Sequence, residues 1–164
     1  DLRDLSEHFI RSHIVFLRNN EIFNGSLFEN VQLSDDVPEG LVREALEKVG
    51  LNGNLGEDFH TGLTEDLNTY GSELNPTTAY QILLARALVQ RPALLLIDEL
   101  LDSMAEYALQ RNLKVLQELR RKTTIVIVTY NPEILAICDQ TIVFRKTGHK
   151  VYRKSGTGRK NVLK

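Results

Sequence analysis

Two adjacent carboxylates, Asp98 and Glu99, stand at the end of the apolar run Ala93-Leu94-Leu95-Leu96-Ile97. A carboxylate pair at the polar end of a buried strand is how a phosphate-processing site holds Mg²⁺ and orients a water, so the segment points to nucleotide chemistry. The competing reading is an acidic pair that only ends the strand and caps the next helix. A Gly-rich phosphate loop is expected ahead of such a strand, and these 164 residues contain none.

The elements that must position the pair follow from local signals. Arg91-Pro92 closes a helical stretch whose start is marked by Asn75-Pro76: Asn caps free amides, and Pro fits the first helical position, where an N–H has no partner. That helix, Thr77 to Val89, is apolar on nearly every side and is expected to be buried. Ile14 to Leu17 reads as a strand, and Ser26 caps a helix from about Leu27. Val37 to Val49 repeats apolar residues at helical spacing and stops at Gly50. Residues 51–74 read as loops with one short helix near Phe59. After the acidic pair come a helix from about Ser103 to Lys122 and a second apolar strand, Thr124 to Val128, of the kind covered on both faces in parallel sheets. Asn131-Pro132 starts a further helix, and Gln140–Phe144 and Lys150–Tyr152 form late strands joined across Gly148. Residues 155–164 read as a frayed tail. Strand, helix, strand, helix, strand implies a parallel sheet flanked by helices, with a helical insert in the first half.

Bulk composition narrows the class. At 42% hydrophobic residues the chain can bury one core. A net charge of −2, from 20 basic and 22 acidic residues, gives no broad basic footprint, so nucleic acid is excluded as a partner. The lone Cys138, among Leu135, Ala136 and Ile137, reads as a packed thiol in a reducing compartment. Apolar runs fall far short of the roughly 20 residues a spanning helix needs, and Asp1–Asp4 lacks a signal-peptide pattern. His8, His13, His60 and His149 lack metal-ligand spacing.

Several segments, in order, resemble the nucleotide-binding domain of an ATP-binding cassette (ABC) transporter, most closely of exporter type. Asp1-Leu2-Arg3-Asp4-Leu5 is similar to D-I-R-D-L, and Phe23-Asn24-Gly25-Ser26-Leu27-Phe28-Glu29-Asn30-Val31 to F-S-G-T-I-x-E-N-I. Gly71-Ser72-Glu73-Leu74 followed by Ile82-Leu83-Leu84-Ala85-Arg86-Ala87-Leu88 resembles G-S-x-L-S-G-G-Q with its I-A-L-A-R-A-L helix. Ordered matches are more specific than any one motif. The resemblance begins after the family's phosphate (Walker A) loop.

It implies an α/β chain with a partial P-loop NTPase fold: a mostly parallel sheet core from 1–28 and 89–154, an inserted helical subdomain at 29–88, and a tail at 155–164. It also implies ATP with Mg²⁺ as ligands in the parent protein, with Asp98 at the metal and Glu99 at the attacking water. The implied partners are a transmembrane domain, of the same or a partner chain, and a second nucleotide-binding domain in a homo- or heterodimer. The implied place is the cytoplasmic face of a membrane.

Four contact points depart from the family pattern. Arg18 stands at the glutamine-loop position, where its fixed charge either repels Mg²⁺ or pairs with a phosphate or with Glu99. The signature becomes Leu74-Asn75-Pro76-Thr77-Thr78: Pro76 removes an amide that would face the partner subunit's nucleotide, and Thr77 and Thr78 add bulk. Ala105 replaces the last aspartate of D-E-P-T-S-A-L-D. Tyr130 replaces the switch histidine and lacks its protonatable ring nitrogen. Slow or absent hydrolysis is the expectation. The alternatives to an exporter ATPase portion are a non-catalytic module that keeps the fold to dimerise or regulate, and an unrelated P-loop enzyme.

Overall fold

The computed structural model describes residues 1–18, 21–33, 36–51, 62–64, 67, 74–146, 148–154 and 160–163. They fall into two units, Asp1–Val128 and Thr129–Lys164.

In the first unit, α1 (Glu7–His13) leads directly into β1 (Ile14–Leu17). The helices α2 (Leu27–Gln32), α3 (Glu39–Val49) and α4 (Pro76–Gln90) follow, then β2 (Leu94–Asp98), a 3-10 turn at Leu100–Ser103, α5 (Glu106–Leu119) and β3 (Thr124–Val128). The sheet order is β1-β2-β3, all parallel, so β2 is central. Between β1 and β2 the described residues form helices and turns but no strand.

Capping chemistry accounts for the helix starts. Ser26 Oγ accepts from the Glu29 amide at 3.2 Å while Glu29 Oε2 accepts from the Ser26 amide at 2.7 Å, a reciprocal capping box for α2. Asn75 Oδ1 accepts from the Thr77 amide at 2.8 Å, with Pro76 as the first helical residue. Helix α3 buries Val42, Ala45, Leu46 and Val49, one face at helical spacing, and ends at Gly50 with φ +95. Gln81 of α4 reaches that end, donating to Val49 O at 2.6 Å. Helix α4 is buried along most of its length, including Ile82, Leu83 and Leu84. The expected Ser103 start of α5 differs: residues 100–103 make the tighter 3-10 turn, and the α-helix begins at Glu106. The segment near Phe59 lies outside the described residues.

The Tyr80 hydroxyl is fully buried and has no hydrogen-bond partner among the described residues. Burial pushes its phenol pKa far up, because the charged form would lose its water. An unpartnered hydroxyl is a net cost, so Tyr80→Phe is expected to raise stability by about 1 kcal/mol. Urea unfolding measures it; a loss of that size would reveal a bond to the hydroxyl.

The sheet corrects one expectation. Val126 and Val128 are 50% and 53% exposed and Phe16 is 42% exposed, so one face is uncovered here, where the sequence reading had β3 covered on both. Side chains alternate along a strand, and the register sets Phe16, Leu96 and Val126 side by side on that face, while Leu17, Leu95 and Ile97 are buried on the other. A continuous apolar run is compatible with one or two covered faces.

In the second unit, α6 (Pro132–Ile137) is capped by Asn131, whose Oδ1 accepts from the Glu133 amide at 2.9 Å. Strands β4 (Gln140–Arg145), β5 (Gly148–Lys154) and β6 (Lys160–Leu163) then form an antiparallel sheet in that order. Two differences from the sequence reading follow. The late strands pair in a separate antiparallel sheet, since the short connection across Lys146–Gly148 favours a hairpin. Residues 160–163, expected in the frayed tail, extend it, pairing Val151 with Leu163 and Tyr152 with Val162.

Candidate nucleotide site

Strand β2 carries the acidic pair out of the core. Leu95 and Ile97 are 0% and 1% exposed, whereas Asp98 and Glu99 are both exposed. The last strand residue, Asp98, lies in register with Val128. The chain then turns sharply: Glu99 takes a left-handed backbone, φ 53 and ψ −1, its amide donates to Val128 O at 3.0 Å, and its carbonyl accepts from the Asp102 amide at 3.1 Å. This bend separates the two acids, so one strand end presents two carboxylates at neighbouring points. Asp98 fits as one ligand of a hydrated Mg²⁺, which typically takes one or two carboxylates plus phosphate oxygens and waters. No group of three or more potential metal ligands occurs among the described residues.

Arg18 follows β1 at the same sheet end, because Leu17 is in register with Ile97. Its guanidinium pairs with Glu21 at 2.8 Å and lies over the Phe16 ring at 5.5 Å. The carboxylate partner among the described residues is therefore Glu21, three residues away, rather than Glu99. Arg18 is 63% exposed, so the pair contributes well under 1 kcal/mol to stability.

The altered signature begins α4. Asn75 and Pro76 are exposed, while Thr77 and Thr78 are 2% and 7% exposed. Asn75 spends its side-chain oxygen on the Thr77 amide, and Thr77 Oγ1 accepts from the Ala105 amide at 2.9 Å. The first turn is thus tied inward, to the segment that follows the acidic pair. That geometry serves a capped structural start; Pro76 has no amide to offer and the two threonines are turned from water.

Tyr130, the remaining expected site residue, belongs to the second unit and is 76% exposed. Beside it, Thr129 Oγ1 accepts from the Asn131 amide at 3.0 Å, setting up the α6 cap. The structure therefore groups Asp98, Glu99 and Ala105 with the start of α4 in one unit, and Arg18 at the neighbouring strand end.

The sequence reading missed the polar knot beneath these elements. Arg86, 7% exposed on α4, donates through Nε to Asn30 O at 2.7 Å, through both terminal nitrogens to Glu21 O at 3.2 Å, and through Nη2 to Asn30 Oδ1 at 3.3 Å. The Phe23 ring lies 5.6 Å from the guanidinium carbon. Desolvation lowers the Arg86 pKa, opposed by the Glu21 charge. Asn30 completes the knot by accepting from the Phe23 amide at 3.0 Å and donating to Phe23 O at 3.0 Å. Glu21 thereby links Arg18, through its carboxylate, to α4, through its carbonyl. A signal was available: a charge inside a helix apolar on every side must find acceptors.

No protein-family model matches the chain. It is 30% identical over 161 residues to the exotoxin translocation ATP-binding protein PaxB of Pasteurella aerogenes, covering 93% of this chain and 22% of that protein. It is 29% identical over 154 residues to the methionine import ATP-binding protein MetN of Histophilus somni, covering 89% of this chain and 43% of that one. The structure of a bacterial Atm1-family ABC exporter with ATP bound matches with a TM-score of 0.73 at 18% identity, over 82% of this chain and 24% of the exporter chain. The chain thus spans about a fifth to two fifths of the length of these curated relatives.

Proposed function

We infer from this chain's place in the ABC transporter ATP-binding family that it is the part of a transporter's ATP-driven motor that carries the metal- and water-handling acids. Its fold is the α/β fold of the P-loop ATPases in that family, with ATP and Mg²⁺ as family ligands. The observation that carries the reading is the central strand β2, buried at Leu95 and Ile97, delivering Asp98 and Glu99 to solvent at its end. Asp98 holds the metal and Glu99 orients the attacking water, in a protein that supplies the phosphate loop from residues other than these. The exporter-like motif forms favour export over import. Partners of that parent are a transmembrane domain and a second ATP-binding domain, at the cytoplasmic face of a membrane; no helix of the described residues is long and apolar enough to cross one.

The site is a degenerate one on this reading. Buried Thr77 and Thr78, the amide-less Pro76, the Arg18–Glu21 pair and Tyr130 all weaken contacts to the γ-phosphate or its water. The phosphate loop is the main grip on the β- and γ-phosphates, so this chain by itself is expected to bind Mg-ATP more weakly than about 1 mM and to release no phosphate. Isothermal titration and a phosphate-release assay measure both; micromolar affinity defeats the expectation. The same buried threonines favour a second reading, a non-catalytic module that keeps the fold for dimerisation or regulation. Phosphate release by the parent-length protein that vanishes on Glu99→Gln supports the motor, and no release in either form supports the module.

A further inference from the structure

Asn24 and Gly25 form a bend between Phe23 and the capped start of α2. Both ends of the bend are pinned. Phe23 donates its amide to Asn30 Oδ1 at 3.0 Å and accepts at its carbonyl from Asn30 Nδ2 at 3.0 Å, and the same Asn30 Oδ1 accepts from the buried Arg86. Ser26 is held in the capping box with Glu29, and Gly25 O accepts from the Leu67 amide at 2.9 Å. Two groups between these anchors are left over. Among the described residues the side-chain amide of exposed Asn24 and the N–H of Gly25 take part in no hydrogen bond.

Those two groups are an electrophile and a nucleophile one residue apart. Attack of the Gly25 nitrogen on Asn24 Cγ closes a five-membered imide ring, and glycine hinders that attack least because it carries no Cβ. The fold also requires the glycine: Gly25 takes φ +154, and a Cβ built there would lie 2.9 Å from Glu29 Oε2. An asparagine locked into a cooperative core reacts only in opened molecules, which at ordinary domain stability slows it by about a thousandfold or more. Groups already free carry no such penalty. The other Asn-Gly pair of the sequence, Asn52-Gly53, lies outside the described residues.

We propose that Asn24 is a site of spontaneous modification, converted through a cyclic imide to aspartate and isoaspartate while the chain is folded. In the first step the bond from Gly25 N to Asn24 Cγ forms and the bond from Cγ to the side-chain nitrogen breaks. That nitrogen leaves as ammonia, taking the proton of the Gly25 amide. Water then opens the ring. Opening at Cγ gives aspartate in a normal main chain; opening at the main-chain carbonyl gives isoaspartate, whose chain runs through Cβ and is one carbon longer. Water is the only co-reactant. The extra carbon enters between two pinned points, so it draws the Phe23–Asn30 pair or the Ser26 cap out of place and loosens the acceptors around Arg86. Aspartate adds charge at an exposed position and lengthens nothing. The bend is thus a slow one-way timer on the polar knot. The nucleotide site takes no part, so the proposal stands or falls apart from it.

Incubation of the folded chain at mildly alkaline pH, followed by tandem mass spectrometry, tests it, with circular dichroism showing that the chain remains folded. Residue 24 is expected to exchange amide for acid, a gain of one mass unit, at a rate within about tenfold of the same chain unfolded in guanidinium chloride. Isoaspartate methyltransferase is expected to label that segment in the incubated chain and not in Asn24→Gln. Slower conversion than this in the folded chain, or no label, overturns the proposal. Hydrogen exchange at the Phe23 amide is expected to be faster by about tenfold or more in the isoaspartate fraction, and unchanged in Asn24→Asp, which adds the charge without the longer chain. Unchanged exchange in the isoaspartate fraction, or equal acceleration in Asn24→Asp, overturns the timer.

Discussion

Replacing Arg86 by alanine is expected to destabilise the first unit by about 3–5 kcal/mol, the range seen when one partner of a buried charged network is removed. The substitution takes the guanidinium from the carbonyls of Glu21 and Asn30, and leaves the side-chain oxygen of Asn30 with the Phe23 amide alone. Each buried acceptor left without a donor costs about 1–3 kcal/mol, and the costs overlap because the acceptors share one cavity. Phe23 also loses the cation over its face. Relief of the desolvation carried by Arg86 offsets part of this loss but restores no donor. Arg86→Lys keeps the charge without the planar fork, so it is expected to recover only a minority of the stability. Urea unfolding gives the magnitude, and hydrogen exchange at the Phe23 and Asn30 amides gives the location. A change below about 1 kcal/mol would mean that water replaces the guanidinium freely.

The second large effect is expected at Leu95, which is 0% exposed in the middle of the central strand. Its backbone is held by β1 through Val15 and by β3 through Ile125, so the strand cannot move to close a gap. Leu95→Ala therefore keeps most of its cavity, and the loss is expected at about 3–4 kcal/mol, within the 2–5 seen for such truncations. Domains of this size are typically stable by 5–15 kcal/mol, so the variant retains its fold with a much lower urea midpoint. Leu96, one residue on, turns to the less covered face and is half-buried; Leu96→Ala is the internal control, with a cost near half as large or less. Equal losses at the two positions would contradict the one-sided core.

Elements whose start or stop is written in local chemistry were legible from the sequence. The Ser26, Asn75-Pro76 and Asn131-Pro132 starts and the Gly50 stop each depend on an atom or a backbone angle that the residue itself supplies. Helix α1 was not legible because it buries no residue, leaving no apolar repeat to detect. Strand β6 is held by pairing with β5, and its four residues, Lys160 to Leu163, are too few to show a period of their own. Coverage of a sheet face is likewise a property of neighbours, which is why Val126 and Val128 defied the reading of β3. Among the candidate site residues, the acidic pair at the end of β2 was legible from the apolar run before it. The inward commitment of Thr77 to Ala105 and of Arg18 to Glu21 was not, since both choices are made by side chains meeting in space.

Glu99 occupies a backbone region that an L-residue enters only at a free-energy cost of roughly 1–2 kcal/mol and that glycine enters freely. Ruggedness and reactivity therefore oppose each other at this single bend. Glycine there would relax the turn and make the polypeptide hardier, while erasing the carboxylate proposed above to orient the water. The left-handed backbone turns the chain between Asp98 and Leu100, so the direction in which residue 99 leaves the strand is set by the fold at the expense of stability.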